Sequence, residues 1–197
     1  MTAGQELVLA GDDQRPLTRL RLGLGWDKER TAGAMGTGAP DVDLDASAVQ
    51  FTGDQLFDLA FYNNLQTRDG SVTHLGDNQT GSGEGDDEVI TVDLTRVYAK
   101  VDTIVFMVSS YQGHSLEWIS RAYVRLVDDA GEAGHEPGDD RELARFTLTA
   151  GVPQTGMAMA KLFRDGDHDG QWRLRAIGEG IAAKIPTESV AALRPFL

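Results

Sequence analysis

The chain contains no cysteine in its 197 residues, which removes disulfides, thiolate zinc sites and cysteine nucleophiles together. Long apolar runs are also missing. Nowhere do the roughly eighteen apolar residues of a membrane span stand in a row, and Met1 to Gln14 lacks the basic segment and apolar stretch of a signal peptide. The expected location is therefore the cytoplasm. Positive charge is scarce: 18 Lys and Arg stand against 31 Asp and Glu, a formal net charge of -13, with a pI near 4.6. Phosphate-bearing partners would meet like charge, so neither nucleic acid nor direct membrane insertion is expected. The deficit is local. Between Thr31 and Thr95 there are twelve carboxylates and one base, Arg68. Unit charges about 4 Å apart repel by roughly 4 kcal/mol at an effective dielectric near 20, so such a cluster calls for a bound cation.

The hydrophobic content of 41% suffices for one sizeable core, and a single domain over residues 1–197 is expected. Short alternating or apolar runs recur: Leu17 to Leu24, Val42 to Phe51, Leu56 to Tyr62, Val89 to Leu94, Thr103 to Ser109, Ala122 to Val127, Leu143 to Thr149, Ala158 to Phe163 and Trp172 to Ile177. Gly-rich steps such as Thr52-Gly53 and Asp69-Gly70 separate them, and the gaps rarely hold a ten-residue helix. This rhythm predicts a mainly β chain, an antiparallel sandwich of two sheets with a few short helices. One helix is expected at His114 to Arg121, and another at the C-terminus over Thr187 to Phe196, with Thr187 as its N-cap. Gly33 to Pro40 and Gly131 to Asp140 read as flexible stretches.

In Asp41-Val42-Asp43-Leu44-Asp45-Ala46, strand alternation sends the three carboxylates to one face and the apolar residues to the other. Asp27 and the pair Asn63-Asn64 follow the strands at Leu24 and Tyr62, at ends where loops gather. A second acidic element runs from Gly76-Asp77-Asn78 to Gly85-Asp86-Asp87-Glu88, and its glycines let the backbone turn carbonyls inward. Hard oxygen donors, with His74 as the only nearby imidazole, suit calcium, which accepts six to eight oxygens at about 2.3 to 2.6 Å. Magnesium, with its strict octahedron and retained waters, fits less well.

These residues also carry a resemblance. Gly23-Leu24-Gly25-Trp26-Asp27, Asp43-Leu44-Asp45-Ala46-Ser47, Phe61-Tyr62-Asn63-Asn64, Asp69-Gly70-Ser71-Val72 and Gly76-Asp77-Asn78 through Gly85-Asp86-Asp87-Glu88 are similar, in order and spacing, to the TerD family of bacterial tellurium-resistance and stress proteins. The likeness spans about Leu20 to Glu179. It implies a calcium-binding β-sandwich with two adjacent metal sites, no catalytic activity, and association with other stress-operon proteins. Carried over by motif, the implied ligands are Asp27, Asp43, Asp45, Asn63 or Asn64, Asp77, Asn78, Asp86, Asp87 and Glu88. The division between two ions stays open. The chain departs from the pattern at Gln79, where Leu is usual, and in the loop Gly131 to Asp140.

Other signals carry less. Asp165-Gly166-Asp167-His168-Asp169-Gly170 imitates the start of an EF-hand loop, but Ala176 stands where the bidentate Glu belongs, so an acidic hairpin turn is the better reading. His114-Ser115 and Glu117 make no nucleophile and base, because adjacent side chains diverge and no Gly-X-Ser-X-Gly elbow exists. Three functions stay in view: a non-enzymatic calcium-binding protein, a metal-ordered module for a protein or carbohydrate partner, and a metal-assisted hydrolase that would need an open coordination position and a base.

Overall fold

The computed structural model of the protein describes residues 2–11, 13–27, 43–76, 85–118, 120–129, 141–148, 152–166, 170–183 and 185–197. Its strands are β1 (Glu6–Val8), β2 (Arg19–Asp27), β3 (Leu44–Thr52), β4 (Gln55–Ala60), β5 (Val72–His74), β6 (Glu88–Asp93), β7 (Thr103–Ser110), β8 (Ser120–Asp128), β9 (Arg141–Leu148), β10 (Gly156–Asp165) and β11 (Gln171–Ile181), and its helix is α1 (Val190–Leu193). They form two antiparallel sheets: six strands in the order β1-β11-β10-β7-β3-β4, and five in the order β5-β6-β2-β8-β9.

Alternation builds the space between the sheets. Leu20, Leu22, Leu24 and Trp26 of β2 face Leu44, Ala46 and Ala48 of β3 and Ile104, Phe106 and Val108 of β7 in one cluster. The opposite face of the six-stranded sheet is also apolar. Val49, Phe51, Val105, Met107, Ile177 and Ile181 form a second cluster, covered by Leu193 with Val190 and Phe196 packed against it. β7, central and covered on both faces, is buried along its whole length, which explains its unbroken run of apolar and small residues.

Each of the nine expected runs overlaps a strand. The structure adds β1, which pairs with β11, and β5, which pairs with β6. Both have three residues, too few for a periodic signal, so pairing with a longer neighbour decides them. The terminal segment lies on the sandwich and holds the expected helix, α1, which is shorter than Thr187 to Phe196 because 3-10 turns at Pro186–Glu188 and Arg194–Phe196 flank it. Pro195, which has no N–H to continue the helical ladder, interrupts the longer pattern. The N-caps of the first 3-10 turn and of α1 are Ile185 and Ser189, not Thr187. Ser189 occupies the N-cap of α1 without a side-chain cap bond, its one hydroxyl proton shared instead between the Pro186 carbonyl and Met107 Sδ. At His114 to Arg121 there is a single 3-10 turn, Leu116–Trp118, before β8 begins.

The EF-hand-like segment joins β10 to β11 with Asp165 opposite Gln171, and Asp165 is ion-paired to Arg173 at 2.8 Å. Ser115 accepts from the Glu117 N–H and donates to the Val152 carbonyl, the work of a turn cap. The stretches Gly33 to Pro40 and Gly131 to Asp140 lie outside the described residues. No helix among the described residues is long and apolar enough to cross a membrane.

Candidate metal centre

Asp45 stands on β3 with its side chain opposite the inter-sheet core, as alternation requires, yet it is only 2% exposed. The same alternation carries Ser47 with it, and the β3–β7 register sets Asp45 opposite Ser109 and Ser47 opposite Met107. Ser47 and Ser109 are buried, and their hydroxyls make no hydrogen bond among the described residues. A buried hydroxyl without a partner is costly, about 1 to 3 kcal/mol, so this corner suits an oxygen-seeking guest. Asp43 lies just before β3, half-buried, its carbonyl accepting the Tyr111 N–H at 3.2 Å.

Glu88 opens β6 in the other sheet, opposite Leu24 of β2, so its side chain points into the sandwich. Its carboxylate crosses to β3: Oε2 accepts the Ala46 N–H at 2.6 Å, one residue from Asp45. The side chain is fully buried, and His74 Nε2 lies 3.5 Å away. His74 Nδ1 accepts the Gly76 N–H at 3.2 Å, which leaves the ring proton on Nε2, facing the carboxylate. Asp87 adjoins β2, where its N–H donates to the Leu24 carbonyl and its Oδ2 accepts the Trp26 N–H at 3.0 Å.

Asp86 goes the other way. Gly85 adopts φ +103, and the chain hooks so that the Asp86 carboxylate lies over the outer face of the five-stranded sheet. There it forms a bidentate pair with Arg125, Nε to Oδ1 at 2.7 Å and Nη2 to Oδ2 at 2.9 Å. The Tyr123 hydroxyl donates at 3.1 Å, and Arg21 stands 4.0 Å away. The Tyr123 phenol is pushed up by burial first and by the Asp86 charge second. The local want of bases is thus partly met from strands far away in the chain. Sequence reasoning grouped Asp86 with Asp87 and Glu88; the structure sets its side chain on the other face of the five-stranded sheet from Glu88, against Arg125 and Arg21.

The remaining expected residues divide. Asp27 ends β2, across a register shift from β8. Asn64 is tied into its turn, its Nδ2 donating to the Leu59 carbonyl at 2.6 Å, while Asn63 is exposed. Asp77 and Asn78 lie outside the described residues. Among the described residues, no three His, Asp or Glu side chains form a ready metal cage. What they supply is a buried set of hard oxygen donors, fitting a hard cation in kind. Sequence reasoning missed Ser47 and Ser109; alternation from Asp43 and Asp45 could have found Ser47, but Ser109 enters only through strand pairing.

Two antiparallel sheets, with buried carboxylates near the start of β3 and at the start of β6, define an acidic β-sandwich. Comparison with known proteins narrows this class: the TerD domain family model matches residues 1–187. The chain belongs to the TerD family. It is 40% identical over 175 residues to the tellurium resistance protein TerD of Serratia marcescens, covering 83% of this chain and 81% of that protein. It is 34% identical over 177 residues to the stress response protein SCP2 of Bacillus subtilis (strain 168), covering 83% of each. Among solved structures, a homologue of the telluride resistance protein from Streptomyces coelicolor A3(2) superposes with a TM-score of 0.69 at 20% identity, covering 88% of this chain and 95% of that one. That likeness establishes the fold. The relatives' names describe resistance and stress response rather than a reaction.

Proposed function

We propose that the protein is a non-enzymatic calcium-binding member of the family, serving bacterial tellurium resistance and stress response in the cytoplasm. One observation carries the reading: the carboxylates of Asp45 and Glu88, one from each sheet, are sunk at 2% and 1% exposure, Asp45 on the sheet face that also bears the buried hydroxyls of Ser47 and Ser109, and Glu88 reaching the adjacent Ala46 N–H from the inter-sheet side. Burying two carboxylates that meet β3 at consecutive residues carries a desolvation cost that a bound cation offsets. Asp45 and Glu88, with Asp43 and Asp87, are the central ligands in this reading. Asp27, Asn63 or Asn64, Asp77 and Asn78 complete two adjacent sites. Calcium, when bound, supplies the charge that cancels their repulsion; the chain's own part is to hold the oxygens and exclude water from them.

The test is calorimetric titration of the metal-stripped protein with calcium chloride, alongside melting with and without EDTA. At free calcium a thousandfold above Kd, binding adds about 4 kcal/mol. For a chain of this size that corresponds to a melting temperature roughly 8 to 16 °C higher. No heat of binding and an unmoved melting curve would sink the reading.

A second reading has its own support. Tyr111, whose N–H is held by the Asp43 carbonyl, is 57% exposed and packs edge-on against Tyr62 at 5.5 Å. An exposed tyrosine beside an acidic centre suits a partner protein or carbohydrate whose docking surface the metal orders. Partners recovered equally in calcium and in chelator would count against it.

A further inference from the structure

Gly23 and Gly25 stand on the outer face of β2 between inward-facing Leu22, Leu24 and Trp26. Neither is at a turn, so chain reversal does not explain them. A Cβ on Gly23 would lie 2.1 Å from Asp86 Oδ2, and one on Gly25 would lie 2.5 Å from Cζ of the Tyr123 ring. The two glycines form a floor, and Asp86 and Tyr123 lie upon it. Above that floor Asp86 has an Arg125 fork, the Tyr123 hydroxyl and the more distant Arg21, and its side chain is 4% exposed. The single Tyr123 hydroxyl proton is shared between Asp86 Oδ1 and the Gly85 carbonyl, 3.0 Å away, and its ring carries the Arg145 guanidinium 4.3 Å above the centroid. Arg145 is in turn paired with Glu142 at 2.6 Å. The next two residues in the chain, Asp87 and Glu88, turn back to β2 and into the sandwich.

We infer that Asp86 is not a metal ligand but an anchor: locked to Arg125 over the Gly23–Gly25 floor, it pins the chain where it enters β6 and so sets the position of Asp87 and Glu88. The assignment of a metal to those two residues rests on the calcium reading above; the lock itself does not. Asp86 and Glu88 lie on opposite faces of the five-stranded sheet, so one ion cannot draw on both without undoing either the Arg125 pair or the Glu88–Ala46 bond. Arg125 and Tyr123 are positioning residues in the same sense, acting on the centre through Asp86.

The test compares full-length wild type with Asp86→Asn, Arg125→Met, the double variant and Glu88→Gln, titrated with calcium chloride after stripping and melted in EDTA. Asp86→Asn and Arg125→Met are expected to keep the wild-type number of bound ions. Each should weaken affinity by about tenfold, and the double variant should be little worse than either, since both remove one interaction. Glu88→Gln should lose an ion. In EDTA the two single variants should melt lower and again combine non-additively, and amide exchange at Trp26 and Asp87 should quicken. Loss of an ion in Asp86→Asn overturns the anchor, as do additive effects of the pair. Should Arg125→Met fail to fold, Arg125→Lys, which keeps charge but not the fork, takes its place with the same expectations. If wild type takes up no calcium, the functional reading falls and the EDTA arm decides the anchor by itself.

Discussion

Replacing Gly23 by alanine tests the stacking of Asp86 on β2 through the sign of a stability change. In an ordinary strand the substitution helps: glycine costs about 0.5 to 1 kcal/mol relative to alanine through backbone entropy. Here the new methyl would stand 2.1 Å from Oδ2 and 2.2 Å from Cγ of Asp86. The carboxylate must retreat by roughly 1 Å, which takes bonds of 2.7 and 2.9 Å to Arg125 past useful length. Disrupting a wholly buried ion pair costs about 3 to 5 kcal/mol, and because Arg125 keeps some contact with water about 2 to 4 kcal/mol is the fitting range. The penalty exceeds the entropy gain, so Gly23→Ala should destabilise by about 1 to 3 kcal/mol, or roughly 2 to 12 °C in melting temperature for a chain of this size. Urea melts of metal-free protein measure it. In an Asp86→Ala background the obstruction is gone, and the same change should be neutral or stabilising by a few tenths to about 1 kcal/mol. A neutral or stabilising effect in the wild-type background would refute the geometry.

Two further outcomes follow from burial and charge elsewhere. Asp69 receives the Tyr98 N–H at 3.0 Å, the Ser71 N–H at 3.0 Å and the hydroxyls of Ser71 and Thr67 at 2.8 Å each. Burial alone would raise its pKa, but these bonds outweigh it and hold the carboxyl below its ordinary 3.8. A depressed carboxylate contributes stability above its unfolded value and loses it as pH falls through the folded one. Asp69→Asn should therefore cost about 1 to 3 kcal/mol at neutral pH, a gap that narrows on the acid side of pH 3.8 in pH-resolved urea melts; a gap of constant size would contradict the assignment. Lys161, on β10 beside Arg175 of β11, is held below its usual 10.5 by burial first and by the Arg175 charge second, with Glu6 and Asp102 opposing. Its charge is a burden to the fold at neutral pH, lifted as pH rises through the lowered value toward 10.5. Lys161→Met should be neutral or stabilising by up to about 1 kcal/mol, with an advantage that shrinks in alkali; a marked loss of stability at pH 7 would show that the ammonium is well compensated.

Local pattern settled the sandwich. Period-two alternation places Leu44 and Ala46 in the core and Asp45 on the other face whatever the neighbours are, because pleating is a property of the strand itself. Turn chemistry likewise marks most strand ends. Tertiary context decided what alternation could not express. β1 and β5 exist because longer strands offer them hydrogen bonds. The missing N–H of Pro195 cut short a helix that its apolar spacing suggested.

The acidic centre divides along the same line. Its composition, oxygen-rich and short of bases, was evident from the order of residues alone, as was the Asp43–Asp45 face. That Glu88 crosses from one sheet to the Ala46 N–H of the other, and that Asp86 turns outward to an arginine 39 positions away, depended on the packing of two sheets and on a hook at Gly85. Covalent neighbours dictate which side chains share a face; only the folded chain determines which distant charge reaches a carboxylate first, because that choice follows distance through space and the loss of water around it.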